Sequence, residues 1–153
     1  MSESSQLQMS QEPSVTPFKV RVLLVDDQLI IVEAVRRMLD GLEDIEFHYV
    51  SSARDAVETA LKMKPTVILQ DLVMPEIDGF ALIQAYRAHE SLAPVPVIVL
   101  SAKEDPKLKA HSFAVGANDY VVKLPDRLEL LARVRYHSAA FISRLQLADA
   151  NIE

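Results

Sequence analysis

VILQDLVMPEIDG, residues 67–79, runs a short apolar stretch straight into an acid, Asp71, and then into a turn-forming segment with Pro75 and Gly79. A run without polar alternation marks a strand buried on both faces, so Asp71 rides at the carboxyl-terminal tip of that strand. A second run of the same kind, VRVLLVDD at residues 20–27, ends in Asp26 and Asp27. Acids at strand tips make no sense as core. If the two strands are neighbours, their charges repel unless a cation lies among them, and the three carboxylates outline a site for a hard divalent metal.

On either side of these runs, β-branched stretches alternate with helical patterns from Lys19 onward. Strands are expected at 20–25, 46–50, 67–70, 97–100 and 120–122, and helices at about 29–39, 53–63, 80–88, 106–115 and from 126 on. That alternation predicts an α/β fold: a doubly wound, five-stranded parallel sheet with helices on both faces. The second strand, IEFHYV, alternates polar and apolar residues and belongs at a sheet edge. Gly41 and Gly116 stand where left-handed helix ends are wanted, Ser52 can cap the second helix, and Asp105 precedes Pro106 as an N-cap precedes a first-turn proline. Right-handed crossovers leave few topologies, the simplest being the flavodoxin-like order 2-1-3-4-5. In that order strands one and three are neighbours, and Asp26, Asp27 and Asp71 meet where the chain reverses direction. Ser101 and Lys123, at the ends of strands four and five, join the same rim. This set can hold a magnesium ion and, beside it, a group bearing several anionic oxygens.

The bulk properties narrow the classes. The chain has 153 residues, half of them hydrophobic, enough for one core and no second domain. A net charge of -6 argues against general affinity for nucleic acid or acidic lipid. With no cysteine there is neither a disulfide framework nor a thiolate site, and His48, His89, His111 and His137 lack ligand spacing. Residues 1–18, rich in Ser and Gln, have neither a basic start nor a long apolar stretch and are expected to be a flexible tail. No apolar run approaches the ~20 residues that span a bilayer, so a cytoplasmic location is expected.

The acidic pair Asp26 and Asp27, the strand-end Asp71 followed by Met74, Pro75, Asp78 and Gly79, Ser101 followed by Ala102, and GANDYVVK ending in Lys123 together resemble the CheY-like receiver domain of two-component response regulators. The likeness covers about residues 20–138, giving a receiver at 19–138 and a helical stalk at 139–153. It implies that Asp71 is the phosphoacceptor, fed by a sensor histidine kinase, with Mg2+ held by Asp26, Asp27, Asp71 and the backbone carbonyl of Val73. Lys123 and Ser101 would contact phosphoryl oxygens. A shift of Ser101 would free space for the Tyr120 ring, changing the face made by the fourth helix, fifth strand and fifth helix and so controlling self-association and an output domain. Leu124 departs from the family pattern, in which proline directly follows the lysine, and leaves the isomers of the Lys123–Leu124 and Leu124–Pro125 bonds open. Val73 and Lys103 flank the approach of a hydrolytic water. The apolar Val73 cannot orient that water, which implies a long-lived phosphorylated state.

The last helical pattern is long. Leu131, Val134, Ser138, Phe141, Leu145, Ala148 and Ile152 recur at spacings of three and four. A helix over residues 126–153 reaches ~40 Å, which predicts either a projecting stalk that pairs with another chain or leads to an output domain, or a helix folding back on its own sheet. The first is preferred, with Arg127, Arg133, Arg135 and Arg144 on a solvated face and no nucleic-acid site. The wording of LQDLVMP, GANDYVVKLPD and ARVRYHS further resembles receivers of Wsp-type GGDEF regulators, in which the output is a diguanylate cyclase. Two other classes compete: an aspartate-nucleophile phosphatase, which needs an acid where Val73 stands, and a receiver-shaped module that never takes phosphate. A dinucleotide site is excluded, since Gly41, Gly79 and Gly116 build no glycine-rich turn.

Overall fold

The computed structural model describes residues 19–152, with side-chain packing as far as Ala148. The expected tail, residues 1–18, lies outside them. The elements run β1 (Val20–Val25), α1 (Leu29–Leu39), β2 (Ile45–Val50), α2 (Ala56–Met63), β3 (Val67–Asp71), α3 (Gly79–Ala88), β4 (Val97–Ser101), α4 (Pro106–Ala114), β5 (Asp119–Val122) and α5 (Arg127–Ile152). All neighbouring strands pair in parallel, in the order β2-β1-β3-β4-β5. The doubly wound fold is the one expected.

Because side chains alternate across a strand, β1 sends Leu23 and Val25 to one face and Val22 and Leu24 to the other. The first face packs Ile68 and Val99 against Ala56 and Ala60 of α2 and Leu82, Ile83 and Tyr86 of α3. The second packs Leu69, Ile98 and Leu100 against Val32, Val35 and Leu39 of α1 and Leu130 and Val134 of α5. β2 forms an edge, but its burial does not alternate: Ile45 and Val50 are buried at its ends, and Tyr49 is exposed. The Arg36 guanidinium lies 5.5 Å from the Phe47 ring centre and 5.6 Å from that of Tyr49.

Local chemistry mostly follows the reading of the chain. Gly41 and Gly116 take positive φ, +81° and +117°. Asp105 caps α4 by accepting from Lys107 N at 2.8 Å and Leu108 N at 3.4 Å. Ser52 does not cap: its hydroxyl donates to Glu76 Oε1 at 3.0 Å, and residues Ala53–Asp55 form a 3-10 turn before α2 begins.

Two corrections concern α5. Its deepest residue near the start is Leu130, fully buried, whereas Leu131 is only partly so, and Ala148 is exposed. The seam that packs is Leu130 and Val134 in the second core, then the buried Ser138, then Phe141 in the first core with Leu145 partly buried against it. Ile152 lies beyond the described side chains. Packing against the domain therefore continues past residue 138, helped by the buried Ser138 hydroxyl, 2.9 Å from Thr66 Oγ1. The arginines lie on the outer side of the helix, three of them with partners there: Arg127 donates to Met38 O at 2.9 Å, Arg133 pairs with Asp119 and Glu129, and Arg135 pairs with Asp44, while Arg144 is exposed. At the amino-terminal end of the sheet Arg87 donates to the carbonyls of Ala93, Val95 and Gly116 and to Asn118 Oδ1, at 2.6–3.0 Å.

Candidate functional site

The register brings β1, β3, β4 and β5 to a common rim, pairing Asp71 with Leu100 and Ser101 with Val122. Asp26, Asp27 and Asp71 each offer a carboxylate oxygen within 4.8 Å of the others. Asp26 is fully buried and Asp71 nearly so. Lys123 Nζ stands 3.0 Å from Asp71 Oδ1, 2.9 Å from Asp26 Oδ2 and 3.1 Å from Gln28 Oε1. The contact with Asp26 is close but lies off a hydrogen-bond direction, so Asp26 Oδ2, like Asp27 Oδ1, is a buried oxygen without a directed donor. Two orphaned carboxylate oxygens in an all-oxygen donor set fit a hard divalent cation such as magnesium.

Burial holds the Asp71 carboxyl above the usual carboxylate range despite the ammonium of Lys123, and the neighbouring Asp26 charge adds to the rise. Lys123 responds in the opposite sense to its own burial. Burial disfavours its charge, but Asp26 and Asp71 outweigh that and hold it above the ordinary lysine value. The ammonium faces two acids, whereas Asp71 faces one ammonium and a second acid. One cation shared between them cannot satisfy both.

Backbone geometry aims these groups. Gly79 N donates to Leu72 O at 3.0 Å, and a Cβ on Gly79 would stand 2.5 Å from Asp71 O, so α3 can start this close to the strand tip only with glycine there. Asp78 caps that helix, accepting from Phe80 N at 3.0 Å. Beneath Asp71, the buried Gln70 donates to the Asp71 carbonyl at 2.9 Å and accepts from Tyr86 OH at 2.6 Å. The Lys123–Leu124 peptide is cis. A cavity of about 530 Å³ opens over the rim between Asp71, Val73, Ser101, Lys103, Phe80 and Lys123.

All the residues expected at the site are found around this rim except Tyr120, which sits behind it. Val73 is 81% exposed at the mouth, with its N–H 3.5 Å from Asp71 Oδ1. Ser101 Oγ donates to Lys103 O and accepts from Lys103 N, both at 3.2 Å. Tyr120 is buried, and its hydroxyl donates to the same Lys103 carbonyl at 2.6 Å. Sequence reasoning did not find three participants: the Gln28 side chain, the Lys103 carbonyl and the Gln70–Tyr86 strut. A polar Gln70 inside an otherwise apolar strand was the one available signal.

A doubly wound α/β domain with an acidic, lysine-paired cluster at its switch point is the class that this fold and site define. The family model for the response regulator receiver domain matches residues 22–135, and the chain belongs to that family, the receivers of two-component systems. The chain is 39% identical over 111 residues to protein-glutamate methylesterase/protein-glutamine glutaminase 2 of Carboxydothermus hydrogenoformans, covering 71% of this chain and 30% of that protein. It is 35% identical over 118 residues to the DNA-binding dual master transcriptional regulator RpaA of Synechocystis, covering 75% and 47%. The chain thus spans less than half the length of either relative. Among solved structures, chemotaxis protein CheY4 of Vibrio cholerae matches with a TM-score of 0.72 at 28% identity, covering 78% of this chain and 98% of that one. The BeF3-activated receiver domain of Klebsiella pneumoniae RstA matches at 0.70 and 25%, covering 77% and 97%.

Proposed function

We propose that Asp71 accepts a phosphoryl group from a phosphohistidine of a sensor kinase, or from a small acyl phosphate, in a magnesium-dependent step. The observation that carries this reading is Asp71 itself: a strand-tip carboxylate open to a cavity and tied to Lys123 at 3.0 Å. Its oxygen attacks phosphorus roughly in line, the bond from phosphorus to the donor nitrogen or acyl oxygen breaks, and the leaving group keeps the electron pair. Asp26, Asp27, Asp71 and the Val73 carbonyl would hold the cation, which when bound offsets the charge of the carboxylates and of the incoming group. Lys123 pairs with one phosphoryl oxygen and the Ser101 hydroxyl donates to another.

The change is relayed through Lys103. Ser101 and Tyr120 share its carbonyl, so turning Ser101 toward a phosphoryl group alters what holds the tyrosine hydroxyl and reshapes the face made by α4, β5 and α5. That face, with α5, is the proposed surface for self-association and for control of an output domain. The wording of the receiver favours a diguanylate cyclase as that output, whereas the relatives carry names of a methylesterase and a DNA-binding regulator. This chain then undergoes its own phosphorylation and dephosphorylation and turns over no external ester.

Incubation with magnesium and acetyl phosphate, followed by intact mass and solution size, tests this reading. One added phosphoryl group, absent in Asp71→Asn, is expected. Release of phosphate from many esters would instead favour a phosphatase, and no change at all an inert module.

A further inference from the structure

We propose that Gln28 is a positioning residue for Lys123, a role that rests on the phosphoacceptor reading of Asp71. Lys123 Nζ lies within reach of three oxygens, Asp26 Oδ2, Asp71 Oδ1 and Gln28 Oε1, and its directed hydrogen bonds go to Asp71 and Gln28, the contact with Asp26 being ionic. Two of the three carry negative charge and belong to the acidic cluster. Gln28 is neutral and comes from the start of α1, 95 residues away in the chain.

Its base is fixed at both ends. The Gln28 N–H donates to Asp26 Oδ1 at 2.9 Å, and its carbonyl accepts from Ile31 N at 3.0 Å and Val32 N at 3.1 Å, opening the helix. Gln28 occupies the N-cap position yet makes no side-chain cap. A glutamine is a poor cap compared with Ser, Thr, Asp or Asn. Its side chain is instead turned across the rim to the lysine.

The consequence appears when the site is in use. Esterification of Asp71 removes a carboxylate charge from Lys123, and any divalent cation in the cluster competes with the lysine for Asp26. Gln28 Oε1 is the one acceptor that neither event changes. It steadies the ammonium over the cavity without neutralising it, leaving its charge for a phosphoryl oxygen.

Gln28→Met keeps the length of the side chain and removes the acceptor at an exposed position, so the fold is expected to persist with its melting temperature in chelator within about 2 °C. Phosphorylation with acetyl phosphate and magnesium, followed by intact mass, is expected to slow three- to tenfold. In a Lys123→Met background the same change is expected to have less than a 1.5-fold effect, because Gln28 acts only through the lysine. The lysine ammonium NMR signal of the metal-free protein supplies a readout independent of turnover: protection of Lys123 from solvent exchange is expected to fall in Gln28→Met. Equal slowing in both backgrounds, or an unchanged rate and ammonium signal in Gln28→Met, would overturn the proposal. Failure of the unaltered chain to take a phosphoryl group would instead overturn the phosphoacceptor reading.

Discussion

Asp71 is more stable protonated in the folded chain than in the unfolded one, since burial and the Asp26 charge raise its affinity for a proton. A carboxylate with a raised folded value contributes stability below its unfolded value, and that contribution is lost as pH rises through the folded one. At neutral pH the ionised side chain therefore costs stability. Asp71→Asn is expected to raise the melting temperature in chelator at pH 7 and to shrink the rise that magnesium produces in the unaltered chain. A lower melting temperature in chelator would refute the argument. Tyr86→Phe should act oppositely, leaving the buried Gln70 amide oxygen without its donor at a cost of about 1–3 kcal/mol, measurable by urea unfolding. Val73→Asn, which places an amide where water approaches, is expected to shorten the life of the phosphorylated state, followed by loss of the added mass. An unchanged decay rate would remove Val73 as its cause.

At the level of elements, β5 and α5 are joined by Asp119, which meets Arg133 at 2.9 Å and His137 at 3.0 Å. Burial alone would raise the Asp119 carboxyl, but His137 and Arg133 overcome it and hold the group below the usual range. Stability from a lowered carboxylate is present above its unfolded value, ~3.9, and is lost as pH falls through the folded value. Asp119→Asn is thus expected to melt below the unaltered chain at pH 7, with the gap closing in acid. The helix itself supplies a second test. Phe141→Ala removes a buried ring and is expected to cost about 3–5 kcal/mol, whereas a freely projecting segment from residue 139 would tolerate it without loss. The apolar spacing of α5 was legible in the chain, but its true seam was not. Leu130 and Leu131 are adjacent and equally apolar, and only the angle at which the helix meets β1 and β3 selects the first.

Across the whole molecule, the sheet order and the gathering of acids were readable because both follow from local rules: apolar runs make buried strands, and right-handed crossovers bring the tips of β1 and β3 together. What joins Lys123 to Gln28, or Arg87 to four acceptors on two loops, has no signature in spacing, since those partners meet only after the sheet has formed. The open side of that sheet has its own consequence. Among the described residues β2 is an edge strand, and such borders are templates for pairing with further chains. The Arg36 guanidinium, 5.5 Å from the Phe47 ring centre and 5.6 Å from that of Tyr49, places a positive charge beside this edge, which disfavours an incoming strand. Colloidal resistance during concentration would then depend on Arg36, a side chain far from any chemistry.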